Sequence, residues 1–430
     1  MEILQSSSRG WPRGGVWQGW WIFVFVVFTA QVAAAPGDLD PTFGDRGKVT
    51  TDFAFIDLAR DVALQPSDYK IVVVGRTDSN FALARYHSDG SLDTSFGKGG
   101  KVVTDFFGDD DGQGIVVQPD GKIVVVGEVF AGATSADFGL ARYNSDGSLD
   151  TSFGDGGKVI TDFGGFDLAS TVALQRDGKI VVVGEAGPDF GVARYRSDGR
   201  LDQSFGDSGK LVTDFGGGNE VARAVSIQPN GKILAAGSGG DGNGNLNFVL
   251  ARYRNNGTLD ATFGKGGKVS TDFFGRIDAA TSIAIQRNGR IVAAGSVMQR
   301  GDSNEDFGLV HYRRNGRVDS SFGDAGKVTT DFFGGSNDLA EDIAAMENCD
   351  ILLAGFVVNR LATDFALALY GRDGTLDTKF GSGGKVTTDF GAQDQAAAVV
   401  LQPDGKIVVV GFRGDSNTGT DFALARYLSK

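Results

Sequence analysis

Gln118-Pro119-Asp120-Gly121-Lys122-Ile123-Val124-Val125-Val126-Gly127 decides the fold. Asp-Gly between apolar arms is a hairpin signal, because both residues tolerate the positive φ of a tight turn. The second arm, Ile-Val-Val-Val, is β-branched and apolar on both faces, which suits a strand with no wet side. The stretch recurs at 175–184, 228–237, 286–295 and 402–411, with looser copies at 65–75 and 347–355. Seven hairpins therefore come from one chain. No helical periodicity of useful length appears after residue 38, so an antiparallel meander is expected.

Two further markers keep step with the hairpin. Leu-Asp-x-x-Phe-Gly starts at Leu39, Leu92, Leu149, Leu201, Leu259, Val318 and Leu376, at intervals of 52 to 59 residues. It leads each time into Gly-Lys-Val-x-Thr-Asp-Phe, with Leu211 once in place of Val. Asp-Phe-Ala-Leu-Ala-Arg-Tyr is clearest at 137–143 and 421–427. A fixed period of this size signals a repeat architecture. Each unit holds four strand-like segments: A (Val-Ala-Leu-Gln), B (Ile-Val-Val-Val), C (Phe-Ala-Leu-Ala-Arg-Tyr) and D (Lys-Val-x-Thr). Along C, Phe138, Leu140 and Arg142 face one way and Gly139, Ala141 and Tyr143 the other, as sheets stacked around a ring require.

Four-stranded sheets in radial repetition make a β-propeller, and seven copies make seven blades. The chain enters with a segment D and leaves with a segment C. Residues Lys48 to Phe53 are therefore expected to complete the last blade and close the circle. An open solenoid would need polar caps, and none is evident. The expected organisation is a signal peptide over 1–35, with Arg9 and Arg13 before an apolar run from Trp20 to Phe28, then an all-β, seven-bladed propeller over 36–430.

The formal net charge of -13 argues against nucleic acid and anionic membrane surfaces as partners. Cys349 is the single cysteine, so no internal disulfide exists. Secretion, to the periplasm or the cell surface, is expected, with a monomeric product.

The Leu-Asp-x-x-Phe-Gly…Gly-Lys-Val signature and the Asp-Gly-Lys-Ile-Val-Val-Val-Gly hairpin resemble the delta-60 repeat family of exported bacterial proteins, over residues 39 to 430. The resemblance implies a propeller-like fold and export, and it carries no catalytic residue. Departures are Ser67-Asp68-Tyr69 and Asn348-Cys349-Asp350 in the first and sixth hairpins, and His311 and Leu369 in place of the strand-C arginine.

The joints between B and C, and between D and A, vary in length, and binding usually lives on variable loops held by a rigid frame. An acid precedes each strand A: Asp57, Asp111, Asp167, Glu220, Asp278, Asp338 and Asp394. With A innermost these would encircle one channel mouth. Oxygen-only ligands suit Ca²⁺ or Mg²⁺; the alternative is that each acid bonds backbone N–H groups in an Asx-type turn. Asp109, Asp110 and Asp111, and Asp241, Asn243 and Asn245, add oxygen density for a metal without full EF-hand spacing. Arg300-Gly301-Asp302 and Arg413-Gly414-Asp415 spell an adhesion tripeptide in loops where chance produces it readily. His87 reads as solvated and His311 as structural. The sequence thus favours a non-enzymatic binding scaffold for a carbohydrate, peptide or envelope partner. A propeller hydrolase or lyase using carboxylates at the channel mouth is the alternative.

Overall fold

The structure, a computed structural model, describes residues 34–429 apart from 131–134, 241, 300–303, 360–361, 392 and 416–418. The expected signal peptide lies almost wholly outside the described residues, as does Arg300-Gly301-Asp302. Residues from Ala35 onward form one compact unit.

Seven four-stranded antiparallel sheets make up this unit, each ordered A-B-C-D. Blade 3 is representative: Asp167–Leu174, Ile180–Ala186, Asp189–Tyr195 and Lys210–Thr213. Ile180 to Val183 are 0% exposed, so strand B is buried on both faces, as its composition requires. Strand A is innermost. Each copy touches the A strands of both neighbouring blades, and the circuit closes between Asp394–Leu401 and Asp57–Leu64.

The two faces of strand C meet different blades. Phe138 and Leu140 pack on Val182, Ala193 and Tyr195 of blade 3, whereas Ala141 and Tyr143 pack on Val72, Val74 and Leu83 of blade 1. Blade closure is as expected. Lys48–Thr51 pairs with Gly419–Tyr427 in the register Lys48↔Ala425 to Thr51↔Phe422.

Three polar contacts repeat around the ring. The buried strand-C tyrosine donates to the Thr of Thr-Asp-Phe one blade back: Tyr195 to Thr161 at 2.8 Å, and Tyr86 to Thr51 at 2.8 Å across the chain ends. The strand-C arginine binds the Asp of Leu-Asp-x-x-Phe-Gly and stacks on its Phe. Arg194 Nε lies 2.9 Å from Asp202, and its guanidinium 4.4 Å from the centre of the Phe205 ring. At the arginine-less fifth blade, His311 stacks on Phe322 at 4.7 Å instead, which is a structural role. Third, the Gly-Lys ammonium donates to the main-chain oxygen of the preceding Thr-Asp-Phe aspartate, as Lys210 does to Asp162 at 2.8 Å. That aspartate's carboxylate caps a loop amide, as Asp331 does for Phe333 and Gly334 at 2.9 and 2.7 Å.

Candidate functional site

Strand A is not regular. In every blade its pairing with B slips by one residue, between Ala59 and Asp61, Ala169 and Thr171, Ala340 and Asp342, and at the equivalent places. The glycine ending each Ile-Val-Val-Val run permits this. A Cβ on Gly184 would lie 1.8 Å from the Leu168 carbonyl oxygen. A bulge re-aims side chains, and here it presents Arg60, Gln113, Ser170, Arg223, Thr281, Glu341 and Ala397 at the innermost strand. No two neighbours match.

The charged members share one space. Arg60 Nη2 lies 2.9 Å from Asp111 of the next blade. Glu341, in blade 6, feels both Arg223 of blade 4 and Arg60 of blade 1, which groups so far apart around the ring can do only across the central channel. Burial pushes Glu341 up to about 7, with those arginines opposing. Asp61 is pushed up to about 7 by burial and then by the charge of Asp342. Both aspartates also brace the ring: Asp61 accepts from the Ile115 amide at 2.9 Å and Asp342 from the Val399 amide at 2.8 Å, each one blade onward.

The seven acids preceding strand A stand at its start and are at most 2% exposed. Asp57, Asp167, Glu220, Asp278, Asp338 and Asp394 each accept from the amide of the Thr-Asp-Phe phenylalanine, for example Asp167 from Phe163 at 2.7 Å and Glu220 from Phe215 at 2.6 Å. In the second blade the equivalent residue is Asp110, which accepts from Phe106 at 2.7 Å. The second-blade acid is therefore corrected from Asp111 to Asp110, which stands as far after Phe106 as Asp57 does after Phe53 and Asp167 after Phe163. Asp109, Asp110 and Asp111 point three ways: Asp109 pairs with Arg76 at 2.9 Å, Asp110 caps the loop, and Asp111 joins Arg60. They do not converge on one point. Asp241 lies outside the described residues, and Asn243 and Asn245 both have partners. Arg413-Gly414-Asp415 belongs to the strand Ile407–Asp415 rather than to a loop, and Arg413 pairs with Asp421 at 3.1 Å.

Two surface features were not foreseen. The D-to-A loops expose large apolar groups: Phe55 is 63% exposed, Phe107 83%, Phe166 48% and Phe333 49%. Phe107 is also held at φ 76°, a conformation that β-carbon-bearing residues avoid. At the opposite, A-to-B end, a cavity of about 770 Å³ lies between blades 5, 6, 7 and 1, lined by Tyr69, Arg287, Glu347, Asn348 and Gln402 among others. Tyr69 and Cys349 occupy the positive-φ turn position that glycine holds elsewhere. Both departures from the repeat thus fall at this end.

Residues 67–96, 118–153, 175–205, 228–263, 286–322 and 402–429 each match the family model described as "Domain of unknown function (DUF5122) beta-propeller". The chain is a β-propeller repeat protein. No curated protein matches it. Solved structures similar to the repeat protein include Sqt1 from Chaetomium thermophilum, at 13% identity over 88% of this chain and 98% of that one, with a TM-score of 0.48. They also include virginiamycin B lyase from Staphylococcus aureus, at 10% identity over 74% and 85%, with a TM-score of 0.41. A gluconolactonase from Xanthomonas campestris matches at 12% identity over 91% and 97%, with a TM-score of 0.38. None of them bears on the activity of the repeat protein.

Most of the channel residues are hidden in the sequence because they are what differs between copies, whereas the markers are what repeats. The signal was present: Arg60, Arg223 and Glu341 are charges that each directly follow an alanine, Ala59, Ala222 or Ala340, in strand A.

Proposed function

We propose that the protein is an exported, non-enzymatic binding propeller of the delta-60 repeat type, which engages a peptide or protein partner through its D-to-A loop face. One observation supports this most: the exposed aromatics Phe55, Phe107 and Phe166 stand on three successive loops of one arc of the ring. Contiguous exposed apolar groups on a rigid frame are a usual mark of an interaction surface. A chain with net charge -13 would favour a partner with a basic rim around its apolar contact.

The test is a peptide display library and a glycan array, screened with the purified chain and with a Phe55→Ser/Phe107→Gly/Phe166→Ser variant. Glycine relieves the backbone of residue 107, so the variant keeps its fold. Peptide binders should lose at least tenfold in affinity. Binders that hold equally to both proteins, or glycans alone as binders, would sink the reading.

A second reading, hydrolysis or lysis of a substrate by channel carboxylates, has one favouring observation. Asp61, Asp342 and Glu341 gather with Arg60 and Arg223 in single copy. Turnover lost on Glu341→Gln would favour it.

A further inference from the structure

At each junction between blades three side chains meet. One precedes the phenylalanine of strand C, one is the Thr-Asp-Phe aspartate, and one is the acid opening strand A of the next blade. Five junctions carry three carboxylates each, and one oxygen from each residue lies within 4.8 Å of the other two. That is the largest separation open to two oxygens that both sit about 2.4 Å from a single ion. At the other two junctions, asparagine fills the first position, as Asn80 and Asn247.

Three carboxylates so close repel unless something positive lies among them. Between blades 7 and 1 the Arg413 guanidinium supplies this, 3.1 Å from Asp421. Between blades 2 and 3, where Asp137, Asp162 and Asp167 meet, no such group is present among the described residues. Asp137 is only 8% exposed and has neither a hydrogen-bond nor an ion-pair partner among them. Lys210 reaches the same loop, but its ammonium goes to the main-chain oxygen of Asp162.

Asn247 gives a separate indication. Its Oδ1 is buried without a donor, at the position equivalent to Asp137. An orphaned oxygen in both chemistries points to a ligand that seeks oxygen.

We propose that Asp137, Asp162 and Asp167 bind a Ca²⁺ ion between blades 2 and 3. The donors are all hard oxygens, with water to complete the shell, which is calcium chemistry. The ion would tie the loop 162–167 to strand C of blade 2. It would also offset the charge that now confronts Asp137. This site needs nothing from the partner-binding reading.

Calorimetry with CaCl₂ on the EDTA-treated chain tests it, beside thermal melting with and without EDTA. Asp137→Asn is the diagnostic variant, because Asn80 and Asn247 show that the fold accepts asparagine there. The wild-type chain should bind Ca²⁺ and melt higher with it. Asp137→Asn, with an unchanged circular dichroism spectrum, should bind one equivalent fewer or bind it at least tenfold more weakly. Absence of Ca²⁺ heat and of any melting shift in the wild type would overturn the proposal, as would an unchanged stoichiometry in Asp137→Asn. A variant that melts higher than wild type in EDTA and in Ca²⁺ alike would assign the cluster to a shared proton instead.

Discussion

The outer part of each blade and the wall of the channel follow opposite rules. In the outer part the tyrosine–threonine bond recurs in all seven blades with nearly the same length, and the arginine–aspartate pair in five. Tyr195 to Thr161 and Tyr427 to Thr388 are both 2.8 Å. At the channel wall the backbone repeats, bulge and all, but the side chains it presents run from Ala397 to Arg60 and Glu341. Sevenfold sameness serves closure, since the junctions must together complete one full turn and identical contacts give each an equal share. Difference at the bulge leaves the sheet-on-sheet packing intact, because those side chains stand at the innermost strand, and the contacts that Arg60 and Thr281 make to the next blade are polar and at the channel edge. A chain under two demands has thus divided them by radius.

Four outcomes would break or sharpen that contrast. The largest effect should come from deleting residues 36–53, which removes Lys48–Thr51 from blade 7 and the buried Phe43 from its core. Loss of several core side chains at ~2–5 kcal/mol each should abolish the cooperative thermal transition. A chain that melts as before would show that the ring does not depend on its latch.

Gly184→Ala comes next. Its methyl would meet the Leu168 oxygen at 1.8 Å, so the bulge of blade 3 must straighten or shift. Overpacking of this kind costs roughly 1–3 kcal/mol, read from denaturant midpoints. An unperturbed midpoint would mean that the bulge is not what demands glycine. Tyr195→Phe should cost less, about 1 kcal/mol, and any of the seven tyrosines should give a similar value. A spread of several-fold among them would mean that the outer part is less uniform than its geometry.

The smallest effect is one of pH, and its sign separates the two regions. Asp61 and Glu341 hold protons more tightly folded than unfolded, with folded values near 7. Their contribution therefore falls as pH rises from about 4 toward about 7. The outer acids act in the other direction. Burial works against ionisation of Asp40 and Asp202, but the hydroxyls of Thr42 and Ser204 and the guanidiniums of Arg426 and Arg194 outweigh it and hold both at about 2. Their contribution is complete above about pH 4 and is lost as pH falls through about 2. Melting temperature should therefore fall on both sides of mildly acidic pH, and Asp61→Asn should flatten the alkaline side only. If that variant left the profile unchanged, the channel acids would not be the source.

Blade count, strand order and the latch were legible in the sequence because all three are carried by repetition, and seven copies of Asp-Gly or its equivalents leave little freedom. The partner of the strand-C arginine was not, although Asp202 stands only eight residues from Arg194. The two face each other only after the chain turns from C toward D. The tyrosine–threonine bonds were hidden for a related reason: each joins residues some 34 to 41 positions apart and in different blades. The acids before strand A were legible as a set, but in the second blade three consecutive aspartates, Asp109 to Asp111, hid that the equivalent one is Asp110. Their neighbours across the junction came from a strand C that the linear order places well upstream.

The latch also governs when the molecule can exist. Thr42 and Arg426, 384 residues apart, are in hydrogen-bond contact, so the first-made segment has no sheet to join until the last-made one appears. Blades can nucleate one by one from their local hairpins, but the circle has to wait for the strand Gly419–Tyr427, at the entropic cost of closing its longest loop.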